Sequence, residues 1–219
     1  ADAGTYKLTA TNTHGVATSS EATLTVNVPP AITTQPVSLA SIPGASATFS
    51  VAASGFPAVS YQWNQGNDPI AGANSASYTI NSVSTNDAGQ YKVVVTSAAG
   101  TATSNTVTLT VNIPPVITTQ PAATQSVALG TAANFIVVAT GSPAPAFQWS
   151  KDGNPITGAT SSVFSIGSAV AADAGIYTVV VSNAGGSVTS SASVLIVAGL
   201  PVITQQPASV VANAGGSAT

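Results

Sequence analysis

Apolar and polar side chains alternate along most of the chain. Ala47, Phe49, Val51 and Ala53 are spaced by Thr48, Ser50 and Ala52, and Val107, Leu109 and Val111 alternate with Thr106, Thr108 and Thr110. Successive side chains of an extended strand point to opposite faces, so a period of two predicts strands with one face in a core and one in solvent. Between these runs, Gly55-Phe56-Pro57 turns the chain into Val59, Tyr61 and Trp63, and Asn67-Asp68-Pro69 turns it again. Tyr78, Ile80 and Val83 then lead to Tyr91, Val93 and Val95. The runs are rich in Val, Ile, Thr and aromatics and are bounded by Gly, Pro, Asn and Ser, which is strand chemistry. No apolar spacing of three and four is sustained, and β-branched residues disfavour helix. About seven short strands in about 86 residues predict an all-β, antiparallel sandwich.

The pattern repeats. Asp87-Ala88-Gly89-Gln90-Tyr91 recurs as Asp173-Ala174-Gly175-Ile176-Tyr177 and as Asp2-Ala3-Gly4-Thr5-Tyr6, with 85 residues from Tyr6 to Tyr91 and 86 from Tyr91 to Tyr177. A fixed period of that size means tandem copies of one small domain. The junctions are Val28-Pro29-Pro30, Ile113-Pro114-Pro115 and Val197-Ala198-Gly199-Leu200-Pro201. The expected organisation is the last two strands of a truncated domain over 1–28, complete domains over 29–113 and 114–199, and the opening of another over 200–219. The last follows because Pro201-Val202-Ile203-Thr204 echoes Pro115-Val116-Ile117-Thr118. The chain is therefore expected to be a segment of a longer array. Pro-Pro favours extended geometry, so the first two joints should be semi-rigid and the array a rod.

Gly44, Phe49-Ser50-Val51, Trp63 and Asp87-x-Gly89-x-Tyr91-x-Val93, repeated as Gly130, Phe135-Ile136-Val137, Trp149 and Asp173-x-Gly175-x-Tyr177-x-Val179, resemble an immunoglobulin domain of the intermediate (I-set) type. The resemblance implies that Trp63 and Trp149 are core residues and not sugar-stacking platforms. It also implies that Asp87 and Asp173 hold a turn while the Tyr91 and Tyr177 hydroxyls bond back to nearby backbone. The positions of Val51 and Val93, and of Val137 and Val179, usually hold that family's inter-sheet disulfide; here all four are valine, and Leu8 stands at the matching place in the partial copy. Burying a valine stabilises by about 1.5–3 kcal/mol, against about 2–5 kcal/mol for a native bridge, so the fold should persist with less margin. The cysteine-free units, with their Ile-Thr-Thr-Gln-Pro opening and Ala-Asp-Ala-Gly corner, are similar to bacterial immunoglobulin-like repeats of large secreted or cell-surface proteins.

Composition narrows the function. Only 4% of the 219 residues are charged, with 3 Lys, no Arg, 6 acids, 1 His and a net charge of -3. No basic patch exists for nucleic acid or anionic lipid. The longest apolar stretch, Val194 to Ile203, is interrupted by Gly199 and Pro201 and falls short of the ~20 residues a membrane-spanning helix needs. A catalytic triad cannot be assembled around the lone His14, so no enzyme, cofactor or metal site is expected. Asp68 and Asp152 beside the Asp87 and Asp173 corners offer two carboxylates per joint, too few for calcium's six to eight oxygens. A Lys-to-Asn or Lys-to-Asp isopeptide staple is disfavoured, because Lys92 should point outward, its counterpart is Thr178, and Lys151 lies in a turn.

Val94, Val138 and Val180 should be outward and apolar on an almost uncharged surface, which suggests contact with copies of the same chain or glycan cover. No Asn-x-Ser/Thr sequon is present, so any glycan would be O-linked. The expected function is a structural segment of an extracellular or cell-surface array that forms a rod or filament by end-to-end or lateral association. The alternatives are an adhesin or glycan-binding module, using loops Gly55 to Ala58 and Gly141 to Ala146, or spacer domains of a large secreted enzyme.

Overall fold

A computed structural model describes residues 2–199, 201, 203–211 and 214–215. Contacts divide the chain into two units, Ala1–Ile113 and Pro114–Thr219.

The first unit opens with β1 (Gly4–Tyr6), β2 (Thr9–Asn12), β3 (Gly15–Thr18) and β4 (Ala22–Leu24). β1 pairs with β4 and β2 with β3, both antiparallel. The two strands expected over 1–28 are thus each broken in the middle. Every described residue from Asp2 to Pro29 is exposed.

A sandwich follows: β5 (Val28–Thr34), β6 (Leu39–Ser41), β7 (Ala47–Ser50), β8 (Ala52–Phe56), β9 (Ser60–Gln65), β10 (Asp68–Pro69), β11 (Ser77–Ile80), β12 (Gly89–Ser97), β13 (Gly100–Thr103) and β14 (Val107–Val111). One layer has the order β10-β9-β12-β14-β6, with β13 also on β12. The facing layer consists of the pairs β5–β8 and β11–β7, joined where Val51 links β7 to β8. The second unit repeats this with β15 (Ile113–Thr119), β16 (Thr124–Ala128), β17 (Ala133–Ile136), β18 (Val138–Ser142), β19 (Ala146–Lys151), β20 (Asn154–Pro155), β21 (Val163–Ile166), β22 (Gly175–Asn183), β23 (Gly186–Thr189) and β24 (Ser193–Ala198). Its layers are β16-β24-β22-β19-β20 with β23 on β22, and β15–β18 with β17–β21.

All pairings with a resolved register are antiparallel except β6 with β14 and β16 with β24, which run parallel. The alternation is realised in the packing. Ala47, Phe49 and Val51 are buried while Thr48 and Ser50 are exposed, and Val107 and Leu109 are buried while Thr108 and Thr110 are exposed. Val138 and Val180 are exposed, but Val94 is half-buried. A single 3-10 turn precedes each corner, Thr85–Asp87 and Ala171–Asp173, a helical element that the alternation does not signal. Past Gly199 the described residues are exposed and contain no strand; Leu200 and Val202 of the expected further opening lie outside the described residues.

Candidate functional site

The most specific constellation in each unit is its corner and core. Asp87 Oδ2 accepts the Ser84 N–H at 2.7 Å and the Ser84 hydroxyl at 2.8 Å, closing the 3-10 turn. Asp173 Oδ2 does the same for the Val170 N–H at 2.8 Å. The Tyr91 hydroxyl donates to the Asp87 carbonyl at 2.7 Å and Tyr177 to Asp173 at 2.8 Å, and Tyr6 bonds in the same way to Asp2. Burial, followed by the Asp87 charge, pushes the Tyr91 phenol up to about 12. Burial and Asp173 do the same for Tyr177, also to about 12. Both stay neutral donors at any ordinary pH.

Behind the corners lie stacked rings. Phe49 packs on Tyr91 with centroids 4.8 Å apart, and Phe135 on Tyr177 at 4.3 Å. Trp63 and Trp149 are fully buried, and their indole N–H groups donate to the carbonyls of Ser75 at 3.0 Å and Ser161 at 2.9 Å. Val93 sits across from Trp63 and Val179 across from Trp149. Val51 and Val137 are buried in the facing layer. Leu8, by contrast, is exposed.

Three serines not singled out by the pattern complete this framework. At the break in the last strand, the Ser104 N–H donates to the Val93 carbonyl at 2.9 Å while its Oγ accepts the Val93 N–H at 3.0 Å. Ser190 makes the same pair of bonds to Val179, at 2.9 and 3.0 Å. Ser19 does so with Leu8 on the opening strands, at 2.8 and 3.0 Å. The signal was present, since 85 residues separate Ser19 from Ser104 and 86 separate Ser104 from Ser190, but serine is too common here to stand out. The glutamine of the Ile-Thr-Thr-Gln-Pro opening also has a structural partner. Gln35 Oε1 accepts the Asn105 N–H and Gln120 Oε1 the Ser191 N–H, both at 2.9 Å.

Reactive side chains are not gathered. His14 is exposed on the β2–β3 hairpin, with Nδ1 3.1 Å from Thr13 Oγ1, beside an open hollow of about 400 Å³. Among the described residues no three His, Asp or Glu are grouped to hold a metal ion, and no helix is long and apolar enough to cross a membrane. The Asp152 carboxylate accepts the Ile176 N–H at 2.8 Å and the Lys151 ammonium at 2.8 Å, which together hold it below the usual carboxylate range, the backbone bond contributing most. Lys92 Nζ donates to Asn67 Oδ1 at 3.0 Å on the exposed surface.

Known proteins share this framework. The pattern that defines the immunoglobulin domain matches residues 29–97 and 114–183. The chain belongs to the immunoglobulin domain family. It is 36% identical over 201 residues to Hemicentin-2 of Mus musculus, covering 84% of this chain and 4% of that protein. It is 35% identical over 178 residues to Endoglucanase C of Cellulomonas fimi, covering 77% of this chain and 16% of that protein. An I-band fragment of titin superposes with a TM-score of 0.69 at 26% identity, over 82% of this chain and 69% of the fragment. The chain thus spans a small part of the relatives it matches. Its two immunoglobulin domains contain no cysteine, and in both the inter-sheet space beside the tryptophan is filled by valine.

Proposed function

We propose that the chain is a structural segment of a long extracellular array of cysteine-free, I-set-type immunoglobulin domains, extending as a rod and associating end to end or laterally. The observation that carries this reading is the use of the specific side chains. In both domains Asp, Tyr, Trp, Ser and Gln of the repeated motif are engaged in hydrogen bonds that hold the framework. A bacterial array of this kind is supported by the similarity to Endoglucanase C of Cellulomonas fimi. Exposed Ser and Thr hydroxyls would carry any O-linked glycan. Negative-stain electron microscopy and sedimentation of the purified chain test the reading: elongated, self-associating particles are expected, and compact monomers at all concentrations would refute it. The same similarity favours a second reading, spacer domains within a larger secreted enzyme, which predicts elongated particles that never associate.

A further inference from the structure

The two domains carry the same framework but different outer faces. On the six-stranded layer of the second domain, Ile176 stands directly across from Val194. Ile176, Ile196, Val194 and Val180 are 49%, 48%, 37% and 37% exposed, a level at which an isolated sheet would carry polar residues. The first domain carries them at the places of Ile176, Val194 and Ile196, while Val94 matches Val180. Gln90 stands across from Thr108, Thr110 follows on the same strand, and Lys92, at the centre, has its ammonium on Asn67 Oδ1. In the second domain Thr178 takes the place of Lys92, and the outward positions of β16, β19, β22 and β24 are all uncharged. A lysine on a sheet face opposes packing on another sheet, because its ammonium must be desolvated. That obstacle is present in one domain and gone from the other.

We propose that this face of the second domain is the surface through which two copies of the chain associate laterally, packing on its own equivalent across a two-fold axis. Size supports a second copy. The strands of this layer together hold 32 residues, which at ~3.3 Å per residue and ~4.8 Å between strands cover roughly 500 Å², the scale of a weak, transient contact between two chains. The facing layer also exposes Ile136, Val138 and Val163 but is only three strands wide, so it offers well under that area. Charge points the same way. A self-complementary contact sets neutral against neutral in a chain of net charge -3, whereas an acidic or basic partner would find nothing to pair with. The proposal rests on the self-association reading above and names its surface.

Sedimentation equilibrium on the full chain, up to ~1 mM, tests it. One variant carries the first domain's residues, Ile176→Gln, Thr178→Lys, Val194→Thr and Ile196→Thr; a control carries Ile136→Ser, Val138→Ala and Val163→Ser on the facing layer, likewise taken from the first domain. The wild-type chain and the control are expected to dimerise, and the four-fold variant to dimerise ~30-fold more weakly or not at all. Should the four-fold variant lose its cooperative thermal transition, Thr178→Lys alone is measured and the same weakening is expected. A wild-type chain that never associates would overturn both this proposal and the reading it rests on. A dimer unaffected by the four-fold variant or by Thr178→Lys, or one abolished by the control, would overturn this proposal alone.

Discussion

Replacing Ser190 with alanine removes a single oxygen but leaves one buried backbone N–H without its partner. The strand that should continue the ladder beside Val179 is broken between β23 and β24, and Ser190 Oγ fills the gap. It accepts the Val179 N–H at 3.0 Å and donates to the Ser191 carbonyl at 2.9 Å. Val179 is 0% exposed and Ser190 7%, so water cannot replace the lost acceptor without opening the sheet. An unsatisfied buried N–H costs about 1–3 kcal/mol. In a domain of this size, 1 kcal/mol corresponds to about 4–8 °C in Tm, so Ser190→Ala, and likewise Ser104→Ala, should lower that domain's transition by about 8–16 °C for a central 2 kcal/mol. Ser19 supplies an internal control. It makes the same bonds to Leu8, but both residues are exposed and water substitutes, so Ser19→Ala should change stability by less than about 0.5 kcal/mol. Scanning calorimetry of the full chain, with amide exchange at Val179 and Leu8, reads both. If Ser190→Ala costs no more than Ser19→Ala, the reasoning from buried donors is wrong.

Val51→Cys with Val93→Cys should form a disulfide on oxidation; closing the 51–93 loop contributes about 4 kcal/mol, and loss of valine packing leaves a net gain of about 2 kcal/mol, read as the difference in unfolding with and without reductant. Absence of the bridge on mass analysis would show that the two valines do not face each other across the sheets. Tyr91 and Tyr177 are each pushed up to about 12, above their unfolded value near 10. Their contribution is therefore complete below pH 10 and is lost as pH rises toward 12, so denaturant midpoints should be flat from pH 7 to 9 and fall between pH 10 and 12. Gly175→Ala should destabilise more than Gly89→Ala, because both lie at positive φ (156 and 150) but a Cβ at 175 would stand 2.7 Å from Asp152 Oδ2. Adding Asp152→Gly, the residue of the first domain at that place, should recover the excess in a double-mutant cycle, and strict additivity would rule out the clash.

The fold was legible in the sequence because its strongest determinants are also its least interchangeable residues. Only glycine tolerates the φ of 150 at Gly89, and few residues other than the Trp63 indole would fill its site and reach the Ser75 carbonyl at the same time. These positions stand out against a background of Ser, Thr, Ala and Val. The serine bridges were hidden for the opposite reason, since one recurring serine among dozens carries no compositional signal and its role depends on a strand break that alternation does not reveal. The outer face of the second domain was only partly legible. Val180 announced itself within Val179-Val180-Val181, but in Val194-Leu195-Ile196 three apolar residues in a row erase the period of two, and only the register shows that Leu195 faces inward and its neighbours outward.

The parallel pairing of an early strand with the last one has a consequence for load. Within a domain the chain enters through β5 or β15, runs on into β6 or β16 and leaves through β14 or β24, so once β5 or β15 has come away from β8 or β18, tension drags the two members of the parallel pair past each other along their length. Their hydrogen bonds are then loaded together in shear instead of being peeled open one at a time. The first domain opposes that pull over three residues, Leu39–Ser41, and the second over five, Thr124–Ala128. Stretched from its ends, the chain should therefore behave as two fuses of different rating in series, the first domain yielding at lower force and taking up extension while the second still holds.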